Sequence, residues 1–263
     1  MRIDDKLSAW IYIPFLMFVI LAAIITLLNN NIPLFLSINT LSGHTGSWFW
    51  SNITILGDTL VFTVIFLPFI RKFPQLIYAM LFALIISTLL VQIPKHVFDI
   101  PRPPGLFDKS AITIIGPAYA FNAFPSGHSA TVFCTYTLFL HVIRPAYGRI
   151  ILLLFCILVI LSRIVVGIHW PLDVAAGAAI GILSGFLAMV MTSRFVIRIP
   201  KLLHVIISSL LIISALVLLL FYNSYYDEAF WLQRIIAAFG LVIGIPDYIK
   251  LLLQYKTKSE KNA

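Results

Sequence analysis

Long apolar runs separated by short polar breaks make up most of this chain. Eight of them stand near residues 10–28, 54–70, 76–93, 129–143, 149–167, 173–191, 202–222 and 230–249. Each approaches the roughly 20 residues that carry a helix across about 30 Å of hydrocarbon. The fourth is short when counted from Ser129, and the eighth is interrupted by Arg234 and Asp247. The pattern predicts an all-α fold, a polytopic transmembrane helical bundle of eight spans. A six-span core followed by a less regular C-terminal pair is the alternative. No repeat, low-complexity tract or soluble domain stands out, and only Lys256–Ala263 reads as a solvated tail. Met1–Trp10 carries Arg2 and Lys6 and leads into an apolar run with no small-residue cleavage site, so a retained first span is expected.

Composition agrees. Of 263 residues, 61% are hydrophobic and 11% charged, against about 25% charged in ordinary soluble domains. So few charges cannot cover a water-soluble surface, which argues against a soluble enzyme, a disordered chain and a nucleic-acid binder. The net charge of +8 then becomes a matter of which loops hold it. Cys134 and Cys156 lie inside apolar runs and read as small buried hydrophobes rather than a disulfide or metal pair.

The cations orient the spans. Arg2, Lys6, Arg71, Lys72, Arg144, Arg149, Arg194, Arg198, Lys201, Lys250, Lys256, Lys258 and Lys261 fall on one side. Lys95, Arg102, Lys109, Arg163 and Arg234 fall on the other. The positive-inside rule places the larger group, and both termini, in the cytoplasm. Asn29–Asn52 contains no Lys or Arg and is expected outside, with Trp48 and Trp50 at the interface.

Polar residues at span ends are costly and therefore candidates for function. They gather in three segments, all on the outward side: Lys95–Pro103; Pro125-Ser126-Gly127-His128; and Ser162-Arg163 followed by His169 and Asp173. Lys95, Arg102 and Arg163 are three cations, two with the planar fork that grips phosphate oxygens. Ser126 suits an N-cap, and Gly127 permits close approach to the amides of a helix start, a natural anion site. Pro171 suits a first helical turn, which puts Asp173 near the start of the sixth span. There it can hold one imidazole nitrogen of His169 and leave the other as nucleophile, with His128 available for proton transfer. That is equipment for phosphoryl transfer. Taken singly, the segments also read as interfacial anchors, a common helix start and proline-rich loop.

Together the segments read K-x6-R-P, P-S-G-H and S-R-x5-H-x3-D, and in this the chain resembles the type 2 phosphatidic acid phosphatase family over about residues 50–195. The resemblance implies a six-helix phosphatase core within residues 1–200 and an appended helix pair with a cytoplasmic tail in 201–263. It implies His169 as nucleophile through a phosphohistidine, Asp173 as its orienting carboxylate and His128 as acid to the leaving group. Lys95, Arg102, Ser126, Gly127 and Arg163 would hold the phosphate, with no metal or other cofactor. The implied partners are a lipid phosphate and the bilayer, with no nucleic acid, and the implied place is the cytoplasmic membrane with an outward-facing site. Relatives with these motifs act on undecaprenyl diphosphate, phosphatidic acid, phosphatidylglycerol phosphate and lipid A phosphates. Undecaprenyl diphosphate or a general lipid phosphate is the expected substrate. A lipid phosphotransferase, or a non-catalytic transporter or lipid-binding protein, is the alternative.

Other polar residues carry weaker expectations. Asp58 reads as a helix-start carboxylate, or as support for a catalytic cation. His96 reads as a loop residue or a substrate contact. Asp99 and Asp108 would balance charge. Arg234 and Asp247 stand about 20 Å apart along a helix, too far to pair with each other.

Overall fold

The computed structural model describes residues 5–108, 110–194 and 200–260. Arg2, Lys109, Arg198 and Lys261 lie outside the described residues, as do the side chains of Lys6, Arg194, Lys256 and Lys258. Every described regular element is helical. In chain order they are α1 (Asp5–Leu27), α2 (Asn31–Asn39), α3 (Leu41–Thr45), α4 (Ser47–Thr54), α5 (Thr59–Ile65), α6 (Pro74–Phe98), α7 (Pro103–Leu106), α8 (Gly127–Phe139), α9 (Ala146–Val165), α10 (Pro171–Arg194), α11 (Lys201–Leu220) and α12 (Phe230–Glu260).

Each of the eight apolar runs forms helix, but they are not equivalent. Among the described residues, six helices are long and apolar enough to cross a membrane. The expected second span is not continuous. It is a pair, Ser47–Gly57 and Thr59–Phe69, bent by 66°. The break falls at Asp58, whose backbone is extended and whose carboxylate accepts the Leu60 N–H at 2.8 Å. One residue thus ends one helix and caps the next, which supports the helix-start reading of Asp58. The expected fourth span, α8, has only 13 residues, about 20 Å of helix. Trp48 is exposed, but Trp50 is buried against Ile55, Val165 and Val166 rather than standing at an interface.

The core is built around α10, which packs against α8, α1 and α6. Its contact with α8 rests on Gly177, Gly181 and Gly185. A Cβ at Gly177 would lie 2.3 Å from Ser126 O, and one at Gly181 would lie 2.3 Å from Ala130 O. A Cβ at Gly185 would lie 2.7 Å from Thr137 Cβ. Four-residue steps on one helix match steps in the same direction on the other, so the two run parallel with their backbones touching. Small-residue spacing of this kind is how helices associate where lipid supplies no hydrophobic drive between them. It also brings the first turns of α8 and α10 to one level. The Ser126 N–H donates to Asp173 O at 3.0 Å.

The C-terminal pair α11–α12 packs on α5 and the turn that follows it. At the end of the bundle away from these helix starts, Arg71 pairs with Asp247 at 2.7 Å, and His204 Nε2 lies 2.9 Å from Ile70 O. Arg234 donates to Leu218 O and lies 4.7 Å from the Phe230 ring centroid. Arg234 and Asp247 are therefore unpaired with each other, as their separation requires.

Gly181→Ala should lower the thermal midpoint of the purified protein in detergent, at a cost of roughly 1–3 kcal/mol, because the added methyl meets backbone. Gly43→Ala, where a Cβ meets nothing within 4 Å, should leave the midpoint unchanged. Equal midpoints for the two variants would contradict this account of the α8–α10 contact.

Candidate active site

The three polar segments meet at one end of the bundle. Pro171 opens α10 and puts Asp173 in its first turn. There Asp173 Oδ2 accepts the Trp170 N–H at 2.9 Å and lies 3.3 Å from His169 Nδ1. His169 Nε2 is left facing Arg102 Nη1 at 3.5 Å. His169 and Asp173 are both 2% exposed, so the carboxylate fixes which ring nitrogen is free. Burial, and then the positive charges of Arg102, Arg163 and Lys95, hold the His169 imidazole well below the usual histidine range. A neutral ring has the lone pair a nucleophile needs.

Ser126 is the N-cap of α8, with its hydroxyl accepting the Ser129 N–H at 3.3 Å. Beside Gly127 only Val91 comes near, at 3.7 Å from an added Cβ, so the first amides of α8 open onto the cavity. An anion there would meet free N–H groups and the positive end of the helix.

The cations are held without being neutralised. Lys95 Nζ donates to Asn122 O at 2.7 Å. Arg102 donates to Phe121 O at 2.9 Å and to Asn122 O at 3.2 Å, and its guanidinium lies 5.4 Å from the Tyr119 ring centroid. Arg163, 3% exposed, donates through Nη1 to the Thr54 hydroxyl and to Tyr226 Oη at 3.2 Å. Its buried Nε has no hydrogen-bond partner among the described residues. Among the described residues, none of the three forms an ion pair with a carboxylate. Three like charges facing one space repel strongly in low dielectric, and an incoming anion relieves them. A cavity of about 270 Å³ is lined by Lys95, Arg102, Gly127, His128, Arg163 and His169, and it continues between α5 and α6.

Sequence reasoning missed the residues that hold this set together. Trp170 Nε1 donates to Pro101 O at 2.8 Å, which ties the histidine turn to the Arg102 segment. Buried Asn39 donates to Thr113 O and Val165 O and accepts the Thr113 N–H, each within 2.9 Å. Asn31 Oδ1 accepts the Leu172 N–H at 3.0 Å at the start of α10. The one visible signal was that Asn29–Asn52 is polar yet uncharged. From the other end of the chain, Tyr226 reaches Arg163, and its ring fills the space beside Gly116, where a Cβ would lie 2.4 Å from it. Tyr222 Oη donates to Asp58 at 2.6 Å. A second cavity of about 160 Å³ lies under this α11–α12 loop and shares His128 and Arg163 with the first. His96 instead sits exposed, 2.8 Å from Gln92 O, away from the cluster. Asp99 caps α6 in a left-handed conformation and, like Asp108, is exposed. Among the described residues, no group of three or more His, Cys, Asp or Glu is placed to hold a metal.

A family model described as the PAP2 superfamily matches residues 76–197. The chain is 27% identical over 202 residues to an undecaprenyl-diphosphatase of Sulfolobus acidocaldarius, covering 70% of this chain and 91% of that one. It is 31% identical over 115 residues to a lipid A 1-phosphatase of Rhizobium johnstonii, covering 43% of this chain and 46% of that protein. The crystal structure of LpxE from Aquifex aeolicus superposes with a TM-score of 0.54 at 32% identity, over 60% of this chain and 94% of that one.

Tyr226→Phe removes one hydroxyl and should weaken inorganic phosphate binding by about 2- to 10-fold, the range for one hydrogen bond. Isothermal titration measures it. Unchanged affinity would mean that Tyr226 plays no part in setting Arg163.

Proposed function

This chain is a multi-pass membrane member of the PAP2 superfamily, and from that premise we propose that it is a lipid phosphatase acting through a phosphohistidine. The substrate is a lipid phosphate or diphosphate, with undecaprenyl diphosphate the favoured candidate in view of the relative it matches over most of that relative's length. One observation carries the reading. His169 has one ring nitrogen against Asp173 and the other turned into a cavity walled by three cations that, among the described residues, have no carboxylate partner.

In this reading His169 Nε2 attacks phosphorus, and the bond from phosphorus to the lipid oxygen breaks. His128 gives that oxygen a proton. Water then attacks the phosphohistidine, the P–N bond breaks, His128 takes the water proton and inorganic phosphate leaves. Lys95, Arg102, Arg163 and the start of α8 at Ser126 and Gly127 stabilise the charge gathering on the phosphoryl oxygens, while the Ser126 N–H itself is committed to Asp173 O. These cations supply the electrostatic work, so the reaction runs without a divalent metal. Residues 1–200 hold the core. Residues 201–263 add the helix pair whose loop contributes Tyr226. The distribution of Lys and Arg supports a site on the outward face of the cytoplasmic membrane. A headgroup then enters sideways between α5 and α6 while its tails stay in hydrocarbon.

Sealed right-side-out vesicles bearing the protein should release inorganic phosphate from a short-chain, non-permeant lipid phosphate added outside. His169→Ala should reduce that release at least about 1,000-fold, since losing a nucleophile removes the covalent route. Activity at the wild-type level in the variant would overturn the mechanism. Release only after the vesicles are opened would invert the topology.

A further inference from the structure

His128 stands between two cavities. The larger one, beside His169, follows one face of α6 through Lys95, Gln92, Val91, Thr88, Ser87 and Leu84. That is about 16 Å along a helix apolar enough to span the membrane. The smaller one, of about 160 Å³, is built from the ends of helices and from loops. His128, Arg163, Ile55 and Asp58 form its inner wall, and the α11–α12 loop, Tyr222–Tyr226, forms its roof. Exposure rises along its lining. Ile55, Arg163 and Tyr226 are buried, Ser224 is half-buried, and Tyr119, Asn223 and Tyr225 are exposed. The small cavity therefore runs from a cation of the phosphate cradle to the surface of the loops.

Its roof is pinned at both ends. Tyr222 Oη donates to Asp58 at 2.6 Å, and Arg163 donates to Tyr226 Oη at 3.2 Å. Between the pins the Tyr225 N–H donates to Asn223 Oδ1 at 2.7 Å, and just beyond them Ser51 donates to Glu228 at 2.6 Å. The His128 wall is also fixed, since a Cβ added at Gly57 would lie 3.3 Å from His128 Cδ2. The family match stops at residue 197, so the roof is this chain's own addition.

The second half of the reaction calls for such an opening. Water must attack phosphorus in line with the P–N bond, from the side that the lipid oxygen has just left, which is the side of His128. The larger cavity is the lipid's own path and leads into hydrocarbon. The smaller one reaches the same histidine from the loops, with polar walls and room for several waters, each taking roughly 30 Å³ in the liquid. We propose that the cavity under the α11–α12 loop is the aqueous port of the site, which delivers the hydrolytic water and lets inorganic phosphate out. This rests on the phosphatase reading above and adds the route that makes water, rather than a second lipid, the acceptor. The water oxygen bonds to phosphorus, the P–N electron pair returns to His169 Nε2, and the proton passes to His128.

Single cysteines tagged with methyl or benzyl methanethiosulfonate test the port in the full chain. Cys134 and Cys156 are buried, so the introduced thiol takes the tag, and mass spectrometry confirms one tag per chain. Ser224→Cys puts the tag in the port and Thr88→Cys puts it in the lipid path. Gly43→Cys, at an exposed position where a Cβ meets nothing within 4 Å, is the reference. Lipid product and inorganic phosphate are followed separately through the first turnover. With the benzyl tag, Ser224→Cys should give lipid product at its untagged rate while phosphate release slows about tenfold or more. The methyl tag should slow it less. Tagged Thr88→Cys should slow lipid product, with phosphate in step behind it. Lipid product and phosphate staying in step in the benzyl-tagged Ser224 variant would overturn the port, whether both slow or neither does. Failure of the phosphatase reading would show separately, as an untagged protein that releases phosphate from no lipid.

Discussion

Two helix backbones in direct contact set up everything else at this site. Gly177, Gly181 and Gly185 let α10 lie against α8 closely enough that a single methyl would collide with a carbonyl. Because the helices run parallel, their N-termini arrive side by side. The start of α8, with Ser126 and Gly127, is thereby fixed beside the start of α10 and the turn that carries His169. The Ser126–Asp173 backbone hydrogen bond joins the two turns. Separating the helices by the width of one side chain would take His169 away from the first turn of α8. Distances of that order cost far more in rate than in stability.

The second constraint is electrostatic. Charges in a low-dielectric setting must be satisfied, and carboxylates would do so at the cost of cancelling the net positive field. Here carbonyls of residues 121–122 and the hydroxyls of Thr54 and Tyr226 hold the cations. These groups fix position and leave the net positive charge in place. Asp173 is committed to His169 and the Trp170 amide, and Asp58 to Tyr222 and the Leu60 amide. A site arranged this way is ready for an anion before the anion arrives. The loops at this end of the bundle, with the α11–α12 loop, then act as its support, and that gives the C-terminal pair a place in the site rather than beside it.

Much of this was legible in the chain. Span positions followed from hydropathy alone, because a helix in lipid must be apolar along its whole length. The N-cap at Ser126 and the first-turn position of Asp173 followed from local capping rules. The gathering of Lys95, Arg102, His128, Arg163 and His169 at one end followed from counting spans. What stayed hidden depends on tertiary approach. Thr54, Asn39 and Tyr226 bond to partners more than 60 residues away, and no local pattern marks them. The bend at Asp58 lies inside an apolar run, where hydropathy reads a continuous span. The glycine spacing in α10 was present in the sequence as a four-residue repeat, and its meaning becomes clear only beside α8.

The central claim is that the phosphoryl group passes through His169 Nε2. Mixing the purified protein with substrate labelled in its terminal phosphate, quenching in alkali within milliseconds and mapping the peptides by mass spectrometry tests that directly. The account predicts one labelled peptide carrying an alkali-stable, acid-labile phosphate on His169. Label on another residue, or phosphate released in the first turnover with none ever bound to protein, would contradict it.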